Sequence, residues 1–344
     1  MSNTSKCILV TGGAGYIGSH TIVELLSEKE VEIISVDNYS NSSADTYSRI
    51  EKITGKKVKH YEIDLCNLTD AEKVFSENKI SGVIHFAALK SVPESVSNPI
   101  RYYSNNLSSL TNVLYCIKKY KVQNFIFSSS CSVFGNVSVL PVKEETPIDD
   151  PQSPYAYTKL VGERIIRDFC FVNKEINAIA LRYFNPVGAH LSGTMGELPV
   201  NAPNNLVPVI TKVAIGELKE LHVFGNDYTT RDGTCVRDYI HVSDIAQAHC
   251  LALNYLESGR NKANYDIINL GSGEGVTVLE AIKAFEEISG VKLNYKIDLR
   301  RPGDVEAIYS DSSKANSLLS WKPKYGLKDM MASAWKWQQY LSSK

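Results

Sequence analysis

The chain has 344 residues, 43% of them hydrophobic and 22% charged, with a formal net charge of −1. That balance suits a large globular core that needs no staple, and it leaves no basic field to hold nucleic acid. No apolar stretch approaches the roughly 18 residues of a membrane span, and the first apolar run, Ile8-Leu9-Val10, is too short for a signal peptide. The seven cysteines are odd in number and include no C-x-x-C pair, as expected for reduced thiols in a cytoplasmic protein.

In chain order, short apolar runs alternate with amphipathic stretches. Strands are predicted over Cys7–Thr11, Glu32–Asp37, Val58–Glu62, Gly82–Phe86, Asn124–Ser128 and Asn177–Leu181, each of a length that suits a buried parallel strand. Helices are predicted between them over Ile17–Ser27, Ala44–Thr54, Thr69–Asn78, Ile100–Lys119 and Tyr157–Asn173. The alternation implies an α/β fold with a doubly wound parallel sheet, a Rossmann-type domain over residues 1–182 to which some later segments return. After Arg182 the rhythm changes. Asn185 to Asn205 is rich in Gly, Pro and Asn and reads as loop. Helices follow near Asn205–Gly216, Val242–Leu256, Thr277–Ser289 and Leu327–Leu341, with short strands such as Leu221–Phe224 and Asp266–Leu270. Residues 183–344 thus form a smaller C-terminal α/β lobe.

The first strand runs into Thr11-Gly12-Gly13-Ala14-Gly15-Tyr16-Ile17-Gly18, in which glycines 13, 15 and 18 satisfy G-x-G-x-x-G and glycines 12, 15 and 18 give G-x-x-G-x-x-G. Glycine serves the tight turn, the close approach of backbone to a pyrophosphate, and the packing of helix on strand. The following helix start offers unpaired amides to phosphate. The bland alternative is an ordinary glycine turn, but the motif stands between a strand and a helix, the context it requires. Asp37 ends the second strand about twenty residues on. A carboxylate there can accept from both adenosine ribose hydroxyls and repels a 2′-phosphate, which favours NAD over NADP.

The fifth strand ends in Phe127-Ser128-Ser129-Ser130. Tyr155-Ala156-Tyr157-Thr158-Lys159 then carries Tyr-x-x-x-Lys, whose ends share a helix face. Alone, that spacing is most often a chance surface pair. Together with the glycine loop, Asp37 and Ser130, it reads as an acid/base site. A free tyrosine titrates near pH 10, and nearby cations favour its phenolate. The Lys159 ammonium and a nicotinamide cation would act in this way, and a shift of about 3 units would require roughly 4 kcal/mol. Ser130 could orient a substrate hydroxyl. Tyr157 is a decoy, only two residues from Lys159.

At these residues the chain resembles the extended short-chain dehydrogenase/reductase family, and within it the enzymes that epimerise carbon 4 of UDP-hexoses. The resemblance runs nearly end to end. It includes His85-Phe86-Ala87-Ala88-Leu89-Lys90, Arg182-Tyr183-Phe184-Asn185-Pro186-Val187-Gly188, Pro203-Asn204-Asn205-Leu206, Phe224-Gly225-Asn226-Asp227-Tyr228, Asp232 to His241 and Arg300-Arg301-Pro302-Gly303-Asp304. It implies an isomerase that interconverts UDP-glucose and UDP-galactose: Tyr155 takes the 4-hydroxyl proton while C4 gives hydride to NAD, the 4-keto sugar turns over, and hydride returns to the opposite face. The catalytic residues would be Ser130, Tyr155 and Lys159. The cofactor would meet Gly12, Gly15, Tyr16, Ile17, Gly18, Asp37, Asn38, Asn41, Ser42, Asp64, Leu65, Phe86, Ala87, Ala88, Lys90, Asn105, Tyr155, Lys159 and Tyr183. The UDP-sugar would meet Lys90, Ser130, Tyr155, Phe184, Asn185, Asn205, Leu206, Phe224, Arg237, Arg301, Asp304 and Ile308. Arg237 and Arg301 would clamp the diphosphate, for which a guanidinium is suited. No metal is implied. The resemblance also implies a homodimer through the helices near Ile100–Lys119 and Tyr157–Asn173.

Two positions depart from many relatives. Phe134 stands where tyrosine is usual. Ile308 stands at the position that gates the sugar, intermediate in size and stiff at χ1, so plain hexoses are expected to be preferred over N-acetylated ones. A 4,6-dehydratase would need an acid pair directly after Ser130, where this chain has Cys131 and Ser132. A UDP-N-acetylhexosamine or UDP-glucuronate enzyme is the nearest alternative, and a non-catalytic NAD-binding regulator, which typically loses Tyr or Lys, a more distant one.

Overall fold

The computed structural model describes residues 6–28, 30–148, 150–198, 205–301 and 304–344. The chain divides into two compact units, the first made of Met1–Gly135, Ile148–Arg182 and Ala246–Ile268, the second of Asn136–Pro147, Tyr183–Ile245 and Asn269–Lys344.

The first part of the chain forms β1 (Lys6–Thr11), α1 (Tyr16–Glu28), β2 (Val31–Asp37), α2 (Asp45–Thr54), β3 (Lys59–Glu62), α3 (Leu68–Glu77), β4 (Gly82–His85), α4 (Val92–Ser97), α5 (Pro99–Lys119), β5 (Asn124–Ser130), α6 (Pro154–Val172) and β6 (Asn177–Tyr183). The second part adds β7 (Asn185–Val187), α7 (Leu206–Ala214), β8 (Leu221–Phe224), β9 (Val236–His241), α8 (Val242–Glu257), β10 (Tyr265–Leu270), β11 (Gly275–Thr277), α9 (Val278–Ser289), β12 (Tyr295–Asp298), β13 (Ala307–Ile308), α10 (Ser313–Leu319) and α11 (Leu327–Ser342).

Unit 1 is built on a seven-stranded sheet in the order β10-β6-β5-β4-β1-β2-β3. The β3, β2, β1, β4 and β5 neighbours run parallel, with Ile8 beside Ile33 and Gly82, and Val83 beside Phe125. Leu9, Ile34, Val83 and Phe125 are fully buried. Such side chains contribute about 1.5–3 kcal/mol each, and they explain why β1 and β4 read as unbroken apolar runs. Helices α3, α5 and α6 cover this core with Val74, Phe75, Val113, Ile117 and Ile166. Gly162 lets α6 lie close to the sheet: a Cβ there would stand 2.8 Å from the Phe127 ring.

Unit 2 holds a four-stranded sheet in which β9 pairs with β11, β13 and β7, and a parallel β8–β12 pair. Its core joins Ile210, Val223, Tyr239, Phe285 and Met331. Asp238 on β9 is fully buried. Its carboxylate accepts from the backbone and hydroxyls of Ser272 and Ser310 and from Gly273 N, at 2.6–3.2 Å, so a buried charge is repaid by hydrogen bonds.

Three expectations are corrected. The helix expected from Tyr157 starts at Pro154, because Ser153 caps it, accepting from Ala156 N at 3.2 Å, and proline is preformed for a first helical position. The stretch expected as loop from Asn185 contains β7, held by pairing with Tyr239 to His241 on β9. The sixth strand, expected to end at Leu181, runs on to Tyr183. Among the described residues no helix is long and apolar enough to cross a membrane, and no group of three or more His, Cys, Asp or Glu could hold a metal ion.

Candidate active site

The C-terminal ends of β1, β2, β4 and β5 carry the glycine turn, Asp37, the Phe86–Lys90 segment and Ser130, at the edge where ligands bind in sheets of this kind. Gly12 has φ +68°, and a Cβ on it would lie 2.8 Å from the backbone of Ala87. A Cβ on Gly18 would lie 2.3 Å from the Gly12 carbonyl. The turn closes through Gly12 N to Val36 O at 2.7 Å and Gly15 N to Gly12 O at 3.1 Å, and Ser19 N to Gly15 O starts α1. Every side chain larger than hydrogen would push the backbone away from the helix start. The loop is a bare backbone cradle at a helix N-terminus, which fits a pyrophosphate.

Asp37 stands beside it. Its carboxylate accepts from Ala14 N at 3.1 Å, Tyr39 N at 3.0 Å and Ser42 Oγ at 2.8 Å. Burial pushes its carboxyl up from the ordinary carboxylate range, and these hydrogen bonds pull it back. Asn38 and Asn41 are exposed in the same turn, and Asp64 and Leu65 follow β3. The turn after β4 closes on the glycine loop: Phe86 N donates to Thr11 O at 3.0 Å and Ala87 N to Thr11 Oγ1 at 3.3 Å. Lys90 ends that segment, exposed. These features fit NAD: a glycine cradle for its phosphates and a carboxylate for its ribose.

Tyr155 falls in the first turn of α6 and is half-buried, whereas Tyr157 is 44% exposed and meets the Tyr103 ring edge-on. Lys159, one turn on, is 4% exposed. Its Nζ donates to Ser128 O at 2.7 Å and lies 5.9 Å from the Tyr155 ring centre. Burial pushes the ammonium down to about 8, against the charge of Glu163. Ser130 is 9% exposed, and its Oγ accepts from Ser132 N and Ser132 Oγ at 3.2 and 3.0 Å.

Sequence reasoning missed several neighbours. His85 shares a hydrogen bond with Thr11 Oγ1 at 2.8 Å, and burial followed by the Lys159 charge pushes its imidazole down to about 3, so it is neutral. Asn106, next to the predicted Asn105, receives Leu89 N at 2.8 Å and donates to Leu89 O and Thr158 Oγ1 at 3.1 and 3.0 Å, tying α5 to α6. Asn105 Nδ2 in turn donates to Asn106 at 3.0 Å. Glu163, Arg182 and Ser129 form a buried cluster. Its residues lie on three elements, β5, α6 and β6, and no local spacing in the sequence joins them.

In unit 2, Phe224, Arg237, Arg301 and Asp304 come together. Arg301 donates to both Asp304 oxygens at 2.9 and 3.2 Å and lies 5.3 Å from the Phe224 ring centre. Arg237 Nη2 is 3.7 Å from Asp304, and its Nη1 donates to Val236 O and Val305 O. Two guanidinium groups thus share one carboxylate, a net positive pair suited to a phosphate. Ile308 is 5% exposed and lies opposite Arg237 in the β13–β9 ladder. Asn205 and Leu206 begin α7, with Asn205 Nδ2 donating to Glu197 at 3.2 Å. Phe184 is buried, and Tyr183 and Asn185 end β6 and start β7. Pro203, Asn204, Pro302 and Gly303 lie outside the described residues.

A family model described as GDP-mannose 4,6 dehydratase matches residues 9–334. A UDP-glucose 4-epimerase of Bacillus subtilis is 49% identical over 331 residues, 96% of each chain. Among solved structures, the UDP-glucose 4-epimerase of Bifidobacterium longum in complex with NAD+ and UDP superposes with a TM-score of 0.93 at 49% identity, covering 97% of this chain and 98% of that one. That of Stenotrophomonas maltophila, with bound NAD and formylated UDP-arabinopyranose, gives 0.94 at 43% identity over 98% and 99%.

Proposed function

The chain belongs to the GDP-mannose 4,6 dehydratase family of extended short-chain dehydrogenases/reductases, and within it to the UDP-glucose 4-epimerases; on that premise we propose that it interconverts UDP-glucose and UDP-galactose with bound NAD. The observation that carries the reading is Tyr155 in the first turn of α6 with the buried Lys159 ammonium 5.9 Å from its ring, in the same unit as the glycine cradle and Asp37. The positions after Ser130 are Cys131 and Ser132, so the acid pair that a dehydratase needs is missing from this sequence.

NAD supplies, when bound, the acceptor for the C4 hydride and its return to the opposite face of the turned 4-keto sugar. Gly12, Gly15 and Gly18 hold its phosphates by their backbone, and Asp37 receives its ribose hydroxyls. Tyr155 Oη takes the proton of the sugar 4-hydroxyl and later gives it back. Lys159, fixed on the Ser128 carbonyl, favours the phenolate by its charge. Ser130 Oγ orients the sugar hydroxyl. Arg237 and Arg301 bind the diphosphate, and Phe224, Asn205, Leu206 and Asp304 bind the uridine, so UDP stays anchored while the sugar turns.

The homodimer belongs to this reading. Ile100 and Tyr115 on α5 and Tyr157, Phe171 and Val172 on α6 are 44–75% exposed apolar side chains on two helices that pack on each other, a pair that suits a four-helix contact. Light scattering at micromolar concentration should give twice the 38.2 kDa chain mass; a monomer overturns this part. The activity is tested with UDP-galactose and no added NAD. Turnover in the parent, and loss of both turnover and single-turnover NADH formation in Tyr155→Phe, are expected. Near-normal NADH formation in the variant would remove Tyr155 from the role of base.

A further inference from the structure

Unit 1 buries a charged cluster for which the proton transfer above has no use. Arg182 Nε and Nη2 donate to Glu163 Oε1 and Oε2 at 2.8 and 2.7 Å, with side chains only 3% and 4% exposed. Ser129 Oγ donates to Glu163 Oε1 at 2.5 Å, and the Phe134 ring lies 4.9 Å from the Arg182 guanidinium. The two-pronged contact compensates the burial of the carboxylate.

The placement of the cluster is informative. Glu163 follows Lys159 by one turn on α6, and Ser129 follows Ser128, the acceptor of Lys159, on β5. Two bonds therefore join α6 to consecutive residues of β5, Lys159 Nζ to Ser128 O and Ser129 Oγ to Glu163, directly before Ser130. We propose that Glu163 and Arg182 form a positioning unit for Lys159, locking α6 to the end of β5 and supplying the anion that keeps the Lys159 ammonium charged; the proposal rests on the role given to Lys159 above.

Around Lys159 stand Tyr155 and Glu163 on α6, the Ser128 carbonyl and the Phe127 ring on β5, and His85 on β4; Glu163 in turn meets Arg182 on β6 and is felt by Tyr265 on β10. His85 is held neutral, and burial pushes Tyr265 up, so it too carries no charge. Glu163 is the carboxylate of this group, and its charge opposes the burial that drives Lys159 toward its neutral form. A neutral lysine would no longer favour the Tyr155 phenolate.

The test is the pH profile of kcat for UDP-galactose in the NAD-loaded protein, with circular dichroism as a check of folding. In Glu163→Gln the alkaline limb is expected to move down by about one pH unit, roughly a fivefold loss of kcat at pH 8, with KM unchanged. Should that variant not fold, E163M/R182M removes both charges and leaves none unpaired; the limb is again expected to move down, by less than in Glu163→Gln because the Arg182 cation goes with the anion. A limb that stays in place in a folded variant overturns the positioning unit. Lys159→Met separates this failure from failure of the underlying reading: if it turns over UDP-galactose as the parent does, Lys159 has no role and the proposal falls with it. If it is inactive while the limb of Glu163→Gln stays put, the positioning unit alone is refuted.

Discussion

Arg182→Met should unbalance unit 1 severely. The guanidinium makes two short hydrogen bonds to Glu163 and covers the Phe134 ring. Methionine fills part of the volume but leaves a carboxylate that is 4% exposed with Ser129 Oγ as its remaining described donor. Breaking one partner of a buried pair costs about 3–5 kcal/mol. At about 2–4 °C per kcal/mol for chains of a few hundred residues, the melting temperature should fall by roughly 6–20 °C. Scanning calorimetry is the assay, with protein concentration and bound NAD held equal, since both shift the midpoint by mass action. E163M/R182M, with no charge left to bury, should recover most of the loss. A single variant that melts within about 2 °C of the parent, or a double variant that melts as low as the single, would refute the reasoning.

Acid release followed by mass spectrometry should find NAD, not NADP, in the purified protein; NADP would overturn the role given to Asp37. Ile308→Cys should relax and Ile308→Tyr sharpen a preference for plain hexoses over N-acetylated ones, which in the parent is expected to be 10- to 200-fold, about 1–3 kcal/mol, in kcat/KM. Equal discrimination by all three proteins removes Ile308 from the gate. Burial holds His85 near 3 and His241 near 4, below the unfolded value of about 6.5. The unfolded chain therefore binds more protons, so the stability from each neutral histidine is present well above pH 6.5 and is lost as pH falls below it, down to about 4 for His241 and about 3 for His85. Between pH 6.5 and 5 each histidine should cost roughly 1.6 kcal/mol, read as a lower urea midpoint; equal midpoints at pH 7.5 and 5 would contradict their burial as neutral groups.

Where the candidate site depends on neighbours in sequence, it is legible there. The glycine turn, Asp37 and the Tyr155–Lys159 spacing are local patterns, and the strands of unit 1 announce themselves as apolar runs. The start of α6 was also written in the chain, as Ser153-Pro154, but the weak apolar periodicity of its first turn hid it. β9 reads Val-Arg-Asp-Tyr-Ile-His and resembles no strand, because Arg237 and Asp238 serve distant partners on Val305, Asp304, Ser272 and Ser310. β11 and β13 have three and two residues and exist by pairing with β9. The Glu163–Arg182 contact is tertiary and has no sequence pattern, although Arg182 lies inside a recognised motif.

Unit 1 draws its last piece, Ala246–Ile268, from far down the chain, and this sets an order of events at the ribosome. Six of the seven strands of its sheet are made by Tyr183, but β10, which covers β6, ends at Leu270. At roughly 5–20 residues per second, several seconds separate the two. During that interval β6 presents an unpaired edge of buried-type residues, Ala178-Ile179-Ala180-Leu181, the kind of edge on which nascent chains stick to one another. Chaperone dependence of the newborn chain, and the failure of fragments that stop short of residue 268, would both trace to this one late strand.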